Sequence, residues 1–70
     1  MTRAKQLRLD LGLGVLEAAN RARIAPKTLH KIEAGDEVLA SALAKLAKFY
    51  GVRPTELLLP AVFETNGEAA

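Results

Sequence analysis

Apolar residues recur along this chain at the three- and four-residue spacing of helix faces, and rarely at the alternating spacing of strands. β-Branched residues are sparse, so strands have little support. The segment from Arg3 to Leu11 predicts a first helix, with Thr2 as N-cap and Gly12 as its stop. Ala4, Leu7 and Leu11 share its expected inner face. Leu13-Gly14 then turns the chain into a second helix, Val15 to Ala22, whose expected inward stripe is Leu16 and Ala19 with Val15 or Ala18 beside them. After a loop from Asp36 to Leu39, Ala40 to Tyr50 predicts a fourth helix with Leu43, Leu46, Ala47 and Tyr50 inward. Pro54 opens a fifth, short helix that reaches about Leu59 and stops at Pro60. Residues 1–60 therefore form one expected domain, and residues 61–70, with Asn66-Gly67, a tail that frays or forms an interface.

The stretch Arg23-Ile24-Ala25-Pro26-Lys27-Thr28-Leu29-His30-Lys31-Ile32-Glu33-Ala34-Gly35 carries the most information. Pro26 suits the first position of a third helix, where its missing N–H costs nothing, and Gly35 suits the position just past the end. Leu29 and Ile32 point inward, which leaves Lys27, Thr28, His30 and Lys31 on the remaining surface. A residue before proline avoids the helical region, so Ile24-Ala25 reads as a tight turn between two short helices. Two short helices joined in this way are a helix-turn-helix.

Length and composition narrow the possibilities further. Seventy residues make one domain at most, with a stability margin of only a few kcal/mol. With no cysteine and one histidine, neither disulfides nor a zinc site can supply that margin, and no cofactor is implied. There is no apolar run long enough to span a membrane and no signal-peptide stretch, so the expected location is the cytoplasm. The net charge of +2 is unevenly spread, with residues 1–35 at +4 and residues 36–70 at −2. That excess suits a polyanionic partner for the first half, or else ordinary solvated helix faces. Catalysis has no support, because there is no cysteine, no second histidine, no metal-ligand spacing and no glycine-rich phosphate loop.

In order along the chain stand Leu7-Arg8, Gly12-Leu13, Ala19, Ile24 and Thr28-Leu29. They are followed by Ile32-Glu33 with Gly35, Leu46-Ala47-Lys48, Tyr50-Gly51-Val52 and Glu56-Leu57-Leu58. With this set the segment from Ala4 to Leu59 resembles the Cro-like (XRE) phage-repressor helix-turn-helix domain. The resemblance implies an all-α, compact five-helix, lambda-repressor-like fold that binds double-stranded DNA as a small transcriptional regulator. It also implies an ion pair between Arg8 and Glu33, a small Ala19 facing the recognition helix, and Ile24 plugging the turn. The sequence departs from the family pattern at four places. Val15 stands where a glutamine usually opens the second helix, Arg23 where the turn usually has glycine, and Pro26 where a polar base reader is frequent. The loop after the recognition helix, often basic, is here Asp36-Glu37.

A recognition helix reads bases with its exposed N-terminal side chains, so the candidate contacts are Lys27, Thr28 and Lys31, with His30 beside them. Lys31 is assigned to a base and Lys27 to a base or a phosphate; Thr28 suits a phosphate or a thymine methyl. The free N–H groups around Val15 and Leu16 can bind a phosphate, and Arg21 and Lys5 are lesser phosphate candidates. Leu57, Leu58, Leu59, Ala61, Val62 and Phe63 give more apolar surface than one short helix can bury, which predicts a homodimer through this segment. The rival reading is a helix-turn-helix that serves a protein partner, as an antitoxin does when its tail clasps a toxin. A membrane-surface helix is disfavoured because the cations are spread over several helices.

Overall fold

The computed structural model describes residues 2–59, and every regular element within them is helical. Four α-helices run Arg3–Asp10 (α1), Val15–Ala22 (α2), Pro26–Ala34 (α3) and Ala40–Tyr50 (α4), and a 3-10 turn follows at Pro54–Leu58. The fifth expected helix is thus a 3-10 turn. Leu59 beyond it is extended, and its carbonyl accepts a 2.8 Å hydrogen bond from the Arg3 N–H. This bond and a 3.6 Å Arg3–Glu56 ion pair fasten the end of the described chain to its start.

Local chemistry fixes the helix ends. The Thr2 hydroxyl accepts from the Lys5 N–H at the start of α1 and donates to the Glu33 carbonyl at the end of α3. One side chain so caps the first helix and tethers it to the third. All four helices close by the same pair of reversed hydrogen bonds, a Schellman ending. At α3 the Asp36 N–H reaches the Lys31 carbonyl and the Gly35 N–H the Ile32 carbonyl. At α2 the Ile24 N–H reaches Ala19 and the Arg23 N–H reaches Asn20. Such an ending needs one left-handed residue, and three helices place glycine there; α2 places Arg23, with φ 65° and ψ 43°. The turn of the helix-turn-helix therefore keeps the glycine-type backbone with an arginine in it, at a cost of about 1–2 kcal/mol.

The core gathers Ala4, Ala18, Ala19, Ala22, Leu29, Ile32, Leu46, Ala47 and Leu57, with Ile24, Val15, Leu13, Leu43 and Tyr50 packed around it. The alanine stripe of α2 lets it pack closely against both α3 and α4. Three expectations need correction. Leu16 is 63% exposed: the buried face of α2 is Val15, Ala18, Ala19 and Ala22, and Leu16 lies about 100° round from Val15. Leu11 is 58% exposed, because α1 ends at Asp10 and the core is met instead by Leu13 after the Gly12 turn. Leu57 is fully buried, since the 3-10 turn packs on α1, α3 and α4 and drives this side chain into the monomer core. It is therefore unavailable to a dimer interface, whereas Leu58 and Leu59 are 44% and 51% exposed. Ala61, Val62, Phe63 and the Asn66-Gly67 tail lie outside the described residues.

Candidate nucleic-acid interface

Helix α3 divides its side chains by phase. Leu29 and Ile32 are fully buried, while Lys27, His30, Lys31 and Ala34 are exposed at the i, i+3, i+4, i+7 spacing of a single stripe. Among the described residues Lys27, His30 and Lys31 have no hydrogen-bond or ion-pair partner from their side chains. Thr28, expected on the open surface, is half-buried at the margin of the stripe. Pro26 opens the helix with no N–H to offer, and Ala25 caps it through the backbone alone.

The far end of α3 holds charge of the opposite kind. Arg8 of α1 donates from Nε to Glu33 Oε2 at 2.7 Å and from Nη2 to Glu33 Oε1 at 3.0 Å, a two-pronged pair. Its Nη1 donates to the Leu13 carbonyl at 3.0 Å, so each of the three guanidinium nitrogens makes a hydrogen bond. Arg8 is 8% exposed. The Glu33 hydrogen bond raises its pKa still further from its ordinary value, against the opposing effect of burial. The Tyr50 hydroxyl lies in the same region, buried and without a hydrogen bond. Burial, with help from the Glu33 charge and against Arg8, pushes its pKa up to about 12. The Arg8–Glu33 pair ties α1 to the end of α3, and Tyr50 packs its ring at the edge of the core without joining that network.

The remaining candidates fall around that stripe. No side chain caps the first turn of α2, so its leading N–H groups, at the half-buried Val15 and exposed Leu16, stay available to an anion. Glu17 stands in the same turn and takes Arg21 into a 2.8 Å ion pair four residues on, which partly spends the Arg21 charge. Lys5 is exposed on α1. Asp36 and Glu37 are exposed immediately past α3. Sequence reasoning passed over Lys45 and Lys48 and read Arg23 only as a departure at the turn; these three, together with Arg21, Ala22 and Phe49, line one open groove. The available signal was the i, i+3 spacing of the two lysines on α4; it takes the α2–α4 packing to bring them beside the arginines.

A family model described as a helix-turn-helix domain matches residues 2–59. The chain belongs to the helix-turn-helix domain family. No curated protein and no solved structure matches it. In this helix-turn-helix domain α2 and α3 are the two motif helices, and Arg23-Ile24-Ala25 is the turn. Among the described residues no cluster of His, Asp or Glu could hold a metal ion. No helix there is long and apolar enough to cross a membrane.

Proposed function

We propose that this domain binds double-stranded DNA sequence-specifically, as a small repressor-like regulator of the Cro-like (XRE) class acting in the cytoplasm. Helix α3 lies in the major groove. The observation that carries the proposal is the unpartnered outward stripe of Lys27, His30 and Lys31, backed by the buried Leu29 and Ile32. Lys31 donates to guanine O6/N7, and Lys27 to a base or a phosphate. Thr28, at the stripe's margin, offers its hydroxyl to a phosphate or its methyl to thymine. His30 supports them, the N–H groups of Val15 and Leu16 hold a phosphate, and Arg21 adds a weaker one. The domain acts as a homodimer through Leu58, Leu59 and the tail residues Val62 and Phe63, which sets the two reading helices about 34 Å apart.

Selection of bound sequences from a random duplex pool tests this, with Lys27→Ala/Lys31→Ala as control. The wild-type chain enriches a defined site, and its affinity falls steeply as salt rises. The double variant folds and loses the preference. An unchanged preference in that variant would show the reading face to be elsewhere. A second reading, a helix-turn-helix that docks a protein partner, takes its support from Leu16 and Leu39, 63% and 76% exposed, with the acidic Asp36-Glu37 between α3 and α4. Failure to bind any duplex at low salt would favour it.

A further inference from the structure

The groove between the C-terminal half of α2 and α4 is separate from the α3 stripe, and its lining is chemically one-sided. All its charged lining residues, Arg21, Arg23, Lys45 and Lys48, are cations, and Ala22 and Phe49 supply the apolar part. Arg21 shares its charge with Glu17, but Arg23, Lys45 and Lys48 have no partner among the described residues. Three uncompensated cations around one concavity repel one another, and an anion lying between them relieves that repulsion.

We propose that this groove is a sequence-independent phosphate track, which holds the backbone of the same duplex whose bases α3 reads. The inference rests on the DNA-binding reading above. Openness selects the occupant. Its volume of 630 Å³ would admit a small effector, yet an open groove cannot enclose most of such a ligand's surface. A polymer needs no enclosure: it presents phosphates at regular spacing, engages several cations at once and releases counterions as it binds. Ala22 and Phe49 give its sugar carbons an apolar wall. Continuity selects the duplex. Arg23 ends α2, and three residues later Pro26 starts α3, so the groove opens beside the N-terminus of the reading helix. Keeping arginine at the left-handed position, where glycine would sit without strain, places a cation at that junction.

The test is Lys45→Ala/Lys48→Ala in the full chain, both sites being exposed on α4. Affinity is measured against salt on the selected duplex and on an unrelated one. The slope of log affinity against log salt becomes shallower by about 2, at roughly 0.9 per phosphate contact, and affinity falls equally on both duplexes. The preference ratio between them stays that of the wild type. Lys45→Arg/Lys48→Arg restores the slope, which separates lost charge from lost folding. A wild-type slope in the alanine variant, with duplex binding intact, overturns the groove assignment and leaves the α3 reading standing. Capture of a polyglutamate peptide that depends on Lys45 and Lys48, with the DNA slope unmoved, overturns it in favour of an acidic protein partner. Absence of any duplex binding by the wild type overturns both.

Discussion

Helix α3 carries charge on its inner and outer faces under opposite conditions. On the inner face the Glu33 side chain is 7% exposed, gripped by both prongs of Arg8 at 2.7 and 3.0 Å, while the third guanidinium nitrogen donates to the Leu13 carbonyl. Along its outer face Lys27 and Lys31 stand in solvent with no partner among the described residues. All are charged side chains, but the surroundings assign them different work. A desolvated charge must be satisfied inside the protein, so it serves the fold and is costly to disturb. A solvated lysine contributes almost nothing to the fold and remains free for an external anion. Burial separates the two roles on one nine-residue helix.

The largest way to break that contrast is to remove one member of the buried pair. Glu33→Ala strands the Arg8 guanidinium in the interior and is expected to cost about 3–5 kcal/mol, measured by urea unfolding. For a domain whose whole margin is a few kcal/mol, that leaves a largely unfolded chain at 25 °C. Retention of cooperative unfolding near the wild-type midpoint would place the Arg8–Glu33 pair among ordinary surface bridges.

Tyr50 sharpens the comparison at high pH. Its folded pKa, about 12, stands above the ordinary value of 10, so the folded state holds the proton more tightly than the unfolded chain does. The resulting stability is fully present below pH 10 and is lost as pH climbs from 10 to 12. The full shift would amount to nearly 3 kcal/mol, but part of the ring is solvated, and about 1–2 kcal/mol is the expected loss. Tyr50→Phe flattens that alkaline limb relative to the wild type, and the lysines, common to both proteins, cancel in the difference. At neutral pH the same substitution removes an unsatisfied buried hydroxyl and is neutral or mildly stabilising. Parallel wild-type and variant curves between pH 9 and 12 would refute the assignment.

What was legible in the sequence follows the same division between local and assembled features. Pro26 and Gly35 fixed the bounds of α3 through backbone chemistry alone, and the i, i+3, i+4 spacing separated Leu29 and Ile32 from the lysines. The all-helical class followed from the same periodicity. Leu16 was misplaced because α2 offers alanine and valine as well as leucine to the core, and hydrophobicity alone favours the larger residue. The alanines win because α2 is packed on by both α3 and α4 and has no room for leucine between them. Leu57 looked like spare apolar surface because no local signal shows how deeply a 3-10 turn seats itself among α1, α3 and α4. The cationic groove was invisible for a related reason: its two walls, residues 21–23 and 45–49, are more than 20 positions apart and meet only through helix packing. Arg8 with Glu33, 25 residues apart, was named by family resemblance and by no spacing rule.

Arg23 offers an intermediate perturbation, since it joins the fold to the charged surface. Arg23→Gly relaxes the only left-handed residue other than glycine among those described. The expected gain is about 0.5–1 kcal/mol in denaturant unfolding, once the larger entropy of an unfolded glycine is set against the relieved strain. On the proposed phosphate-track reading, duplex binding is expected to weaken in the same variant, because the groove loses a cation at its junction with α3. Stability and affinity therefore move in opposite directions. A variant less stable than the wild type would mean that the arginine side chain contributes packing that outweighs its backbone strain.

Lys27→Ala/Lys31→Ala has the smallest expected effect on the fold, and it sits at the opposite end of the contrast from Glu33→Ala. Both side chains are exposed and unpartnered, and alanine is the better helix former, so unfolding is expected to shift by less than about 0.5 kcal/mol in either direction. Circular dichroism and the urea midpoint check this on the protein without DNA. Removing two charges from the outer face then leaves the scaffold as it was, whereas removing one from the inner face dismantles it. A midpoint lowered by more than 1 kcal/mol would mean that these lysines hold the bundle together. In that case lost DNA selectivity in the same variant could no longer be credited to the reading face.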